Sequence, residues 1–376
     1  ENAGTRYSVL YNTHVTRDCA SPMYLHLAAL LSPFATVLLY FVAPAWVAPA
    51  VAAVVSALVL FFSAYYMLVA DSDLTLARTR LSPSYFVNKR VLITGASSGI
   101  GKALAMEIAS LKRAARLVIA SRNLPVLEQL RTELLAAGAA EVACVQLDIG
   151  ALAELPAKAA EVLLAFNGLD MLINNAGIST RALAHRTPFE VDEKLMRIDF
   201  LGHVALTKAL LPALIASGDG HIVNISSIAG KLGAALRSAY CAAKWAVLGH
   251  FNAMRAELTF LEINVAVTNV CPGSVATDVA KNAVLSSGKA MGISDGNIAS
   301  GMAPRRCASL ILRGMSAKQH ELWISKFPKE KLALALGHYA PELLQKVLLG
   351  ASGKQRMLGT MTFVERAEAG DASKAM

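Results

Sequence analysis

From Tyr24 to Ala70 the chain contains no aspartate, glutamate, lysine or arginine. So long a run without charge excludes an ordinary solvated segment. As one helix it would measure about 70 Å, against a hydrocarbon core of about 30 Å. Pro33, Pro44 and Pro49 would break or kink such a helix. The expected arrangement is a hairpin of two spans, 24–43 and 48–70, turning near Ala43-Pro-Ala-Trp46, with Trp46 at one interface and Tyr65–Tyr66 at the other. A single crossing with the other half lying in the interface is the alternative. A secretory signal needs an apolar stretch of only about 7–15 residues, so the run is too long for one.

Other scarcities narrow the class. The five cysteines form no close pair of metal-ligand spacing, which agrees with a reducing compartment and gives no metal site. Aromatics are 6% of the chain and are not interleaved with the basic residues, so the net charge of +9 does not indicate nucleic acid. About ten Lys and Arg between residues 301 and 357 face three acids, which suits anionic headgroups or simply a solvated surface. The one Asn-x-Ser sequon, Asn224-Ile-Ser226, falls in an expected buried strand and is no sign of glycosylation. There are no internal repeats.

What is present is a regular alternation. The runs 90–94, 117–120, 142–147, 171–174, 221–225, 265–270 and 322–324 are short, rich in Val, Ile and Leu, and separated by helical patterns. They read as parallel strands with helical crossovers, hence a doubly wound, seven-stranded Rossmann-type α/β sheet. The expected organisation is a flank 1–23, a membrane segment 24–70, a connector 71–87, a sheet domain 88–326, and an extension 327–376 ending in a small, polar tail from Ala367. Within the sheet domain, residues 276–304 break the rhythm after a strand end and suit a lid. The segment Lys331–Leu349 is apolar, interrupted by Gly337 and Pro341, and would cap the site, lie on a membrane or pack as core. A hairpin puts Arg6, Arg17, Arg78, Arg80, Lys89 and Arg90 on one side and an uncharged turn on the other, which favours a cytosolic sheet domain.

Three groups of residues carry chemistry. Tyr240 and Lys244 are four apart on an expected helix and share a face. A phenol, whose ordinary pKa is about 10, accepts protons near neutrality only beside a cation that stabilises its anion. Ser227, thirteen residues earlier, would donate to a substrate oxygen, and its spacing favours it over Ser226. Upstream, Thr94-Gly95-Ala96-Ser97-Ser98-Gly99-Ile100-Gly101 joins a strand to a helix. Glycines there admit a pyrophosphate to the backbone, and the helix N-terminus supplies free N–H groups. The second strand ends Ala120-Ser121-Arg122, without the acid that a ribose 2′-hydroxyl requires. A guanidinium with a neighbouring hydroxyl suits a 2′-phosphate, so NADP(H) is the expected cofactor; an arginine merely solvated there would leave the preference open.

Taken in order with Asn174-Asn175-Ala176-Gly177 and Pro272-Gly273, these motifs resemble the short-chain dehydrogenase/reductase family over residues 88–325. The resemblance implies hydride transfer between nicotinamide and a carbonyl or alcohol, with Tyr240 as acid/base and Lys244 also reaching the nicotinamide ribose. It further implies that Asp148 contacts adenine, that Asn174, Ala176, Gly177, Pro272, Gly273 and Val275 lie at the cofactor, and that Thr277 bonds the nicotinamide carboxamide. One position departs: Asp199 stands where the family usually has an asparagine whose backbone carbonyl holds a water for the lysine, which leaves the carbonyl but changes helix bend and local charge. Retinoid or steroid substrates follow from the resemblance, with 3-ketosphingoid or long-chain acyl ketones as the rival within the class. A catalytically silent nucleotide-binding scaffold is the rival outside it. The expected partners are a lipophilic small molecule, a bilayer (that of the endoplasmic reticulum) and a second copy of the chain in a homodimer.

Overall fold

The structure, a computed structural model, describes residues 72–293 and 296–368, together with positions 50–51, 53–58 and 61. The chain divides into two compact units, Glu1–Tyr65 and Tyr66–Met376. In the first, the described positions are helical and Val54, Leu58 and Phe61 are exposed. Residues 1–23, the first expected span, the turn with Trp46, and Tyr65–Tyr66 lie outside the described residues.

In the second unit seven parallel strands form one sheet in the order β3-β2-β1-β4-β5-β6-β7. They are β1 Arg90–Thr94, β2 Arg116–Ser121, β3 Glu141–Gln146, β4 Met171–Asn174, β5 Gly220–Ile225, β6 Val265–Pro272 and β7 Glu321–Ile324. Each expected strand is present, shifted by one residue at most at its amino end and two at most at its carboxyl end. Central strands such as β4 and β5 are buried on both faces, which is why their sequences read as unbroken apolar runs. The order runs outward from β1 to β3 and then returns to β4, so a crevice opens between the carboxyl ends of β1 and β4.

Helices cover both faces: α1 Leu74–Arg78, α2 Gly99–Ser110, α3 Leu124–Ala137, α4 Leu155–Phe166, α5 Phe189–Met196, α6 Gly202–Ala216, α7 Ser238–Phe260, α8 Gly296–Ala299 and α9 Pro304–Ser316. α5 and α6 are joined without a break by a π turn, Arg197–Leu201. The combined stretch Phe189–Ala216 is long and apolar enough, by length and composition, to cross a membrane. Its Leu206, Leu210 and Leu214 are instead fully buried with Leu172, Ile222 and Phe251, so it is a core helix of the sheet domain.

The connector is less polar in effect than its sequence suggests. Leu76 and Phe86 are fully buried, and Asp73 joins the edge of β7, its N–H donating to Trp323 O (2.8 Å) while its carboxylate accepts from Trp323 N (2.9 Å). The segment 276–304, expected as a lid, is likewise docked. Val284 exchanges backbone hydrogen bonds with Ser179 O (2.7 Å) and Arg181 N (3.0 Å), beyond the end of β4.

Beyond β7 come α10 Pro328–Tyr339, α11 Pro341–Leu349 and α12 Ala351–Glu368. α12 packs Val364, Met357 and Met361 against Leu285, Met291 and Ile298 of the lid and against Leu236. α10 meets Leu232 at Gly337, where a Cβ would overlap that leucine. The extension therefore folds over the lid and the 232–236 loop. The helix continues through Ala367 and Glu368, where a loose tail was expected; the rest of that tail lies outside the described residues.

Candidate active site

Tyr240 and Lys244 lie in the first two turns of α7, with the Lys244 ammonium 5.7 Å from the Tyr240 ring centre. Tyr240 is partly exposed, whereas Lys244 is 4% exposed and donates from Nζ to Ile225 O at 3.2 Å. The helix start is fixed by the loop before it, where the Ala234 N–H donates to Cys241 Sγ at 3.3 Å. Cys241 is thus a buried packing and capping residue.

The two serines after β5 divide cleanly. Ser226 is buried and donates to Lys244 O at 3.0 Å, tying α7 to the sheet. Ser227 is partly exposed; its Oγ accepts from Ala229 N at 3.1 Å and has only a long, 3.5 Å contact to Pro272 O as donor. Ser227 is therefore the hydroxyl available to a ligand.

Asp199 sits in the π turn, fully buried. Its Oδ1 accepts from Ile178 N at 2.8 Å, and its Oδ2 lies 3.6 Å from Lys244 Nζ. Burial raises the Asp199 carboxyl above the usual carboxylate range, opposed by the Lys244 charge and the Ile178 hydrogen bond. One turn on, His203 is also fully buried; its Nε2 is 2.7 Å from Ala176 O, and burial with the nearby Lys244 charge pushes it down to about 3. One turn further, Thr207 accepts from Asn174 Nδ2 at 3.0 Å. Asp199, His203 and Thr207 thus form one polar stripe at i, i+4, i+8 that holds residues 174–178 to the core helix.

The glycine loop makes a close cradle. Gly95 and Gly99 have φ of +66° and +57°, which an L side chain would strain. At Gly101 a Cβ would overlap the Asn175 amide and the Gly95 carbonyl. Asn175 itself donates to Thr94 O (2.8 Å) and Gly95 O (3.2 Å), so it braces the loop. Ser97, Ser98 and Ile100 complete the turn into α2, and Ser98 caps it without a side-chain hydrogen bond, leaving first-turn N–H groups for a ligand. Thr277 closes the far wall, 3.2 Å from where a Gly99 Cβ would stand. These open N–H groups and absent side chains fit a dinucleotide pyrophosphate. A cleft of about 810 Å³ continues from Gly99 and Thr277 along Lys102 and Met106 to Pro304 and Arg305. It borders the cradle rather than the Tyr240 hydroxyl, and the chemistry is placed by the latter.

A family model described as short chain dehydrogenase matches residues 89–287, more than half of the chain. The chain belongs to the short-chain dehydrogenase family. Similar curated proteins include the dehydrogenase/reductase SDR family member 7B of Mus musculus, 36% identical over 278 residues, covering 73% of this chain and 84% of that one. The SDR family protein 7-like of Drosophila melanogaster is 39% identical over 258 residues (68% and 78%), and member 7 of Homo sapiens 34% over 267 (69% and 78%). Among solved structures, a short-chain dehydrogenase/reductase from Burkholderia phymatum in complex with NAD superposes with TM-score 0.61 at 25% identity, covering 69% of this chain and 96% of that one. A metagenomic short-chain oxidoreductase in complex with NADP gives TM-score 0.52 at 30% identity (64% and 97%). The chain is accordingly an oxidoreductase whose fold carries a nicotinamide site.

Within this short-chain dehydrogenase the remaining expected residues are placed unevenly. Arg122 is exposed just past β2 with no side-chain partner among the described residues. Ser121, by contrast, is buried and its hydroxyl accepts from Asn123 N at 3.2 Å in a local turn. Asp148 is exposed and accepts from Gly150 N at 2.9 Å. Val275 is buried and bridged to Met302, and Ala176 and Gly177 line the turn against Thr94, His203 and Asp199.

The Asn174 side chain is held inside the sheet domain. It was expected at the cofactor, yet it is fully buried and donates both amide protons, to Thr207 and to Asn224 Oδ1 at 2.9 Å. Asn224 in turn donates to Asn269 Oδ1 at 3.0 Å, and the three asparagines are register partners across β4, β5 and β6. The Asn174 Oδ1 is buried without a hydrogen-bond partner among the described residues.

Gly273 has a packing reason of its own. The Glu330 carboxylate of α10 occupies the place of a Gly273 Cβ and accepts from Ser274 Oγ (2.7 Å), Ser274 N (3.2 Å) and Ser325 Oγ. Sequence reading missed Glu330, His203 and the asparagine ladder. The i, i+4, i+8 stripe was the one available signal among them.

Proposed function

We propose that this short-chain dehydrogenase is a membrane-anchored, NADP(H)-dependent oxidoreductase acting on a lipophilic carbonyl or alcohol of retinoid or steroid type. The observation that carries the chemistry is the grouping of Tyr240, Lys244 and Ser227 at the carboxyl end of the sheet that also bears the glycine cradle. NADPH is favoured by Arg122, an exposed guanidinium just past β2 with no acidic partner among the described residues, where a 2′-phosphate would lie. The uncharged run 24–70 supports the anchor, and an anchored enzyme has direct access to substrates dissolved in lipid.

The chemistry supplied by bound NADPH is hydride donation to the carbonyl carbon. The chain does the rest. Tyr240 Oη gives its proton to the carbonyl oxygen, and the Ser227 hydroxyl donates a hydrogen bond to that oxygen as its negative charge grows. Lys244, fixed by Ile225 O, places a cation beside the phenolate that remains. Thr277 and the Pro272-Gly273 turn would hold the nicotinamide side, and the 276–304 segment with α12 packed on it would cover the mouth.

The test is NADPH consumption by detergent-solubilised protein against retinoids, steroids and 3-ketosphingoid bases. Tyr240→Phe should abolish turnover of any accepted carbonyl while leaving NADPH affinity nearly intact. Turnover that survives Tyr240→Phe would remove the acid/base assignment, and no turnover of any carbonyl by wild type would favour a nucleotide-binding scaffold. Arg122→Asp should weaken NADPH binding far more than NADH binding; equal losses would remove the basis for NADP(H).

A further inference from the structure

A buried carboxylate beside the one buried ammonium of the site has no counterpart in an asparagine. Asp199 Oδ2 is buried without a hydrogen-bond partner among the described residues, and the group nearest to answering its charge is Lys244 Nζ at 3.6 Å. That separation is longer than a hydrogen bond but within ion-pair reach, and the side chains are 5% and 0% exposed, so water screens the attraction little. The arrangement is tightly enclosed. A Cβ on Gly177 would stand 3.3 Å from Asp199 Oδ1 and 3.4 Å from Lys244 Nζ, so the glycine backbone runs directly against both charges.

The ionisable neighbours are few. α7 contributes Lys244 and Tyr240, and α6 contributes His203, which burial holds neutral. The 174–178 turn presents Gly177 and the Ile178 N–H, neither of which titrates. An asparagine at 199 would keep the Ile178 hydrogen bond through its amide oxygen, but would leave Lys244 as an uncompensated cation next to the tyrosine.

We propose that Asp199 is a positioning residue that acts through Lys244: its ionised carboxylate forms a buried pair with the ammonium, so that the cation facing Tyr240 is a paired one. The proposal rests on the reading of Tyr240 as the proton donor. A paired cation presents a weaker field to a neighbouring phenolate than a lone one. Wild-type enzyme should therefore need a higher pH for alcohol oxidation than a variant with asparagine at this place.

The pair itself is read without substrate or cofactor, by infrared difference spectra of the full chain in detergent, wild type minus Asp199→Asn. No protonated-carboxyl band should appear at neutral pH in wild type. Lys244→Met should bring that band up, because a desolvated carboxylate without its cation takes a proton, and Lys244→Met/Asp199→Asn should abolish it. A band in wild type at neutral pH, or none in Lys244→Met, overturns the pair.

The consequence is read from pH profiles. In Asp199→Asn the pH of half-maximal oxidative rate should fall by about one unit, with turnover at the optimum within about tenfold of wild type. A variant that loses stability while its profile stays put would show a merely structural aspartate and overturn the proposal. Failure of the enzyme reading is separately visible, as turnover surviving in Tyr240→Phe, and leaves the infrared result standing.

Discussion

The two ends of the sheet use the same residue types in opposite ways. At the amino end, Tyr85 Oη lies 2.9 Å from His221 Nδ1, His221 Nε2 lies 2.8 Å from Thr268 Oγ1, and Thr268 donates to Gln319 O at 2.6 Å. Since Thr268 spends its proton on Gln319, it accepts from His221 Nε2–H, and His221 Nδ1 accepts from Tyr85. From Tyr85 to the Gln319 carbonyl each proton is assigned, and the one group left over there is Gln319 Oε1, a neutral amide oxygen buried without a partner among the described residues. Asp219 nearby is held by Lys89 at 3.0 Å and by Lys318. At the carboxyl end a tyrosine, a histidine, an aspartate and a lysine recur, but Asp199 Oδ2 and His203 Nδ1 have no hydrogen-bond partner among the described residues, and Tyr240 and Ser227 are partly exposed. A saturated network fixes a fold. An unsaturated one, kept in place by the groups around it, is available for chemistry.

The comparison breaks most visibly at adjacent serines. Ser227→Ala should cost about 10²–10³ in turnover with the thermal midpoint nearly unchanged, because it removes a donor aimed at growing charge. Ser226→Ala should do the reverse, losing about 1 kcal/mol of stability with the Lys244 carbonyl bond and changing turnover only a few-fold. Steady-state rates and melting curves of the two variants decide it. Equal loss of turnover in both would mean that the site does not distinguish them.

Acid sharpens the comparison next. His203 and His221 are each pushed down to about 3 by burial, while an unfolded histidine titrates near 6.5. The unfolded chain therefore binds more protons between those values. The stability is fully present above about pH 6.5 and is lost as pH falls toward 3, at about 1.4 kcal/mol per pH unit for each histidine. Denaturant unfolding at stepped pH should show this slope, and His221→Gln, which keeps a donor and an acceptor but does not titrate, should remove roughly half of it. An unchanged slope in that variant would mean that His221 is not the buried neutral ring seen here.

Legibility followed the period of the signal. The strands were readable because two-sided burial leaves runs such as Met171-Leu-Ile-Asn174, and Tyr240 and Lys244 because one helical turn separates them. The asparagine ladder was hidden, since its members are 50 and 45 residues apart and meet only in the register of β4, β5 and β6. The sequence pattern placed Asn174 at the cofactor turn and could not show that its side chain also ties β4 to β5. Glu330 was invisible for the same reason, lying 56 residues beyond the serine it holds. The lid read as irregular because its pairing to residues 179–181 uses single bridges, which leave no alternation in sequence.

Glu330 tests whether the carboxyl end depends on the extension. Its carboxylate holds Ser274, just past the Pro272-Gly273 turn, to α10. Glu330→Ala should cost about 2 kcal/mol, the range for a hydrogen bond to a charged group, and should speed hydrogen exchange in 328–339 and 273–277 together. Exchange that rises in α10 alone would uncouple the extension from the site.

The smallest expected effect lies at the saturated end, and its smallness is the point. Tyr85 is the one member of that chain contributed by the connector, and burial with the Asp219 charge pushes its phenol up, so it stays a neutral donor at any pH the enzyme meets. Tyr85→Phe removes one hydroxyl and keeps the ring, including its edge-on contact with Phe86. The His221 Nδ1 lone pair is then left unanswered, which should cost about 1 kcal/mol. Turnover should be unchanged, since the substitution leaves every group at the other end of the sheet in place. Equilibrium unfolding and kcat measured on the same preparation give both numbers. A loss of turnover larger than the loss of stability would mean that the two ends communicate through the strands, and that the closed network does more than hold the connector down.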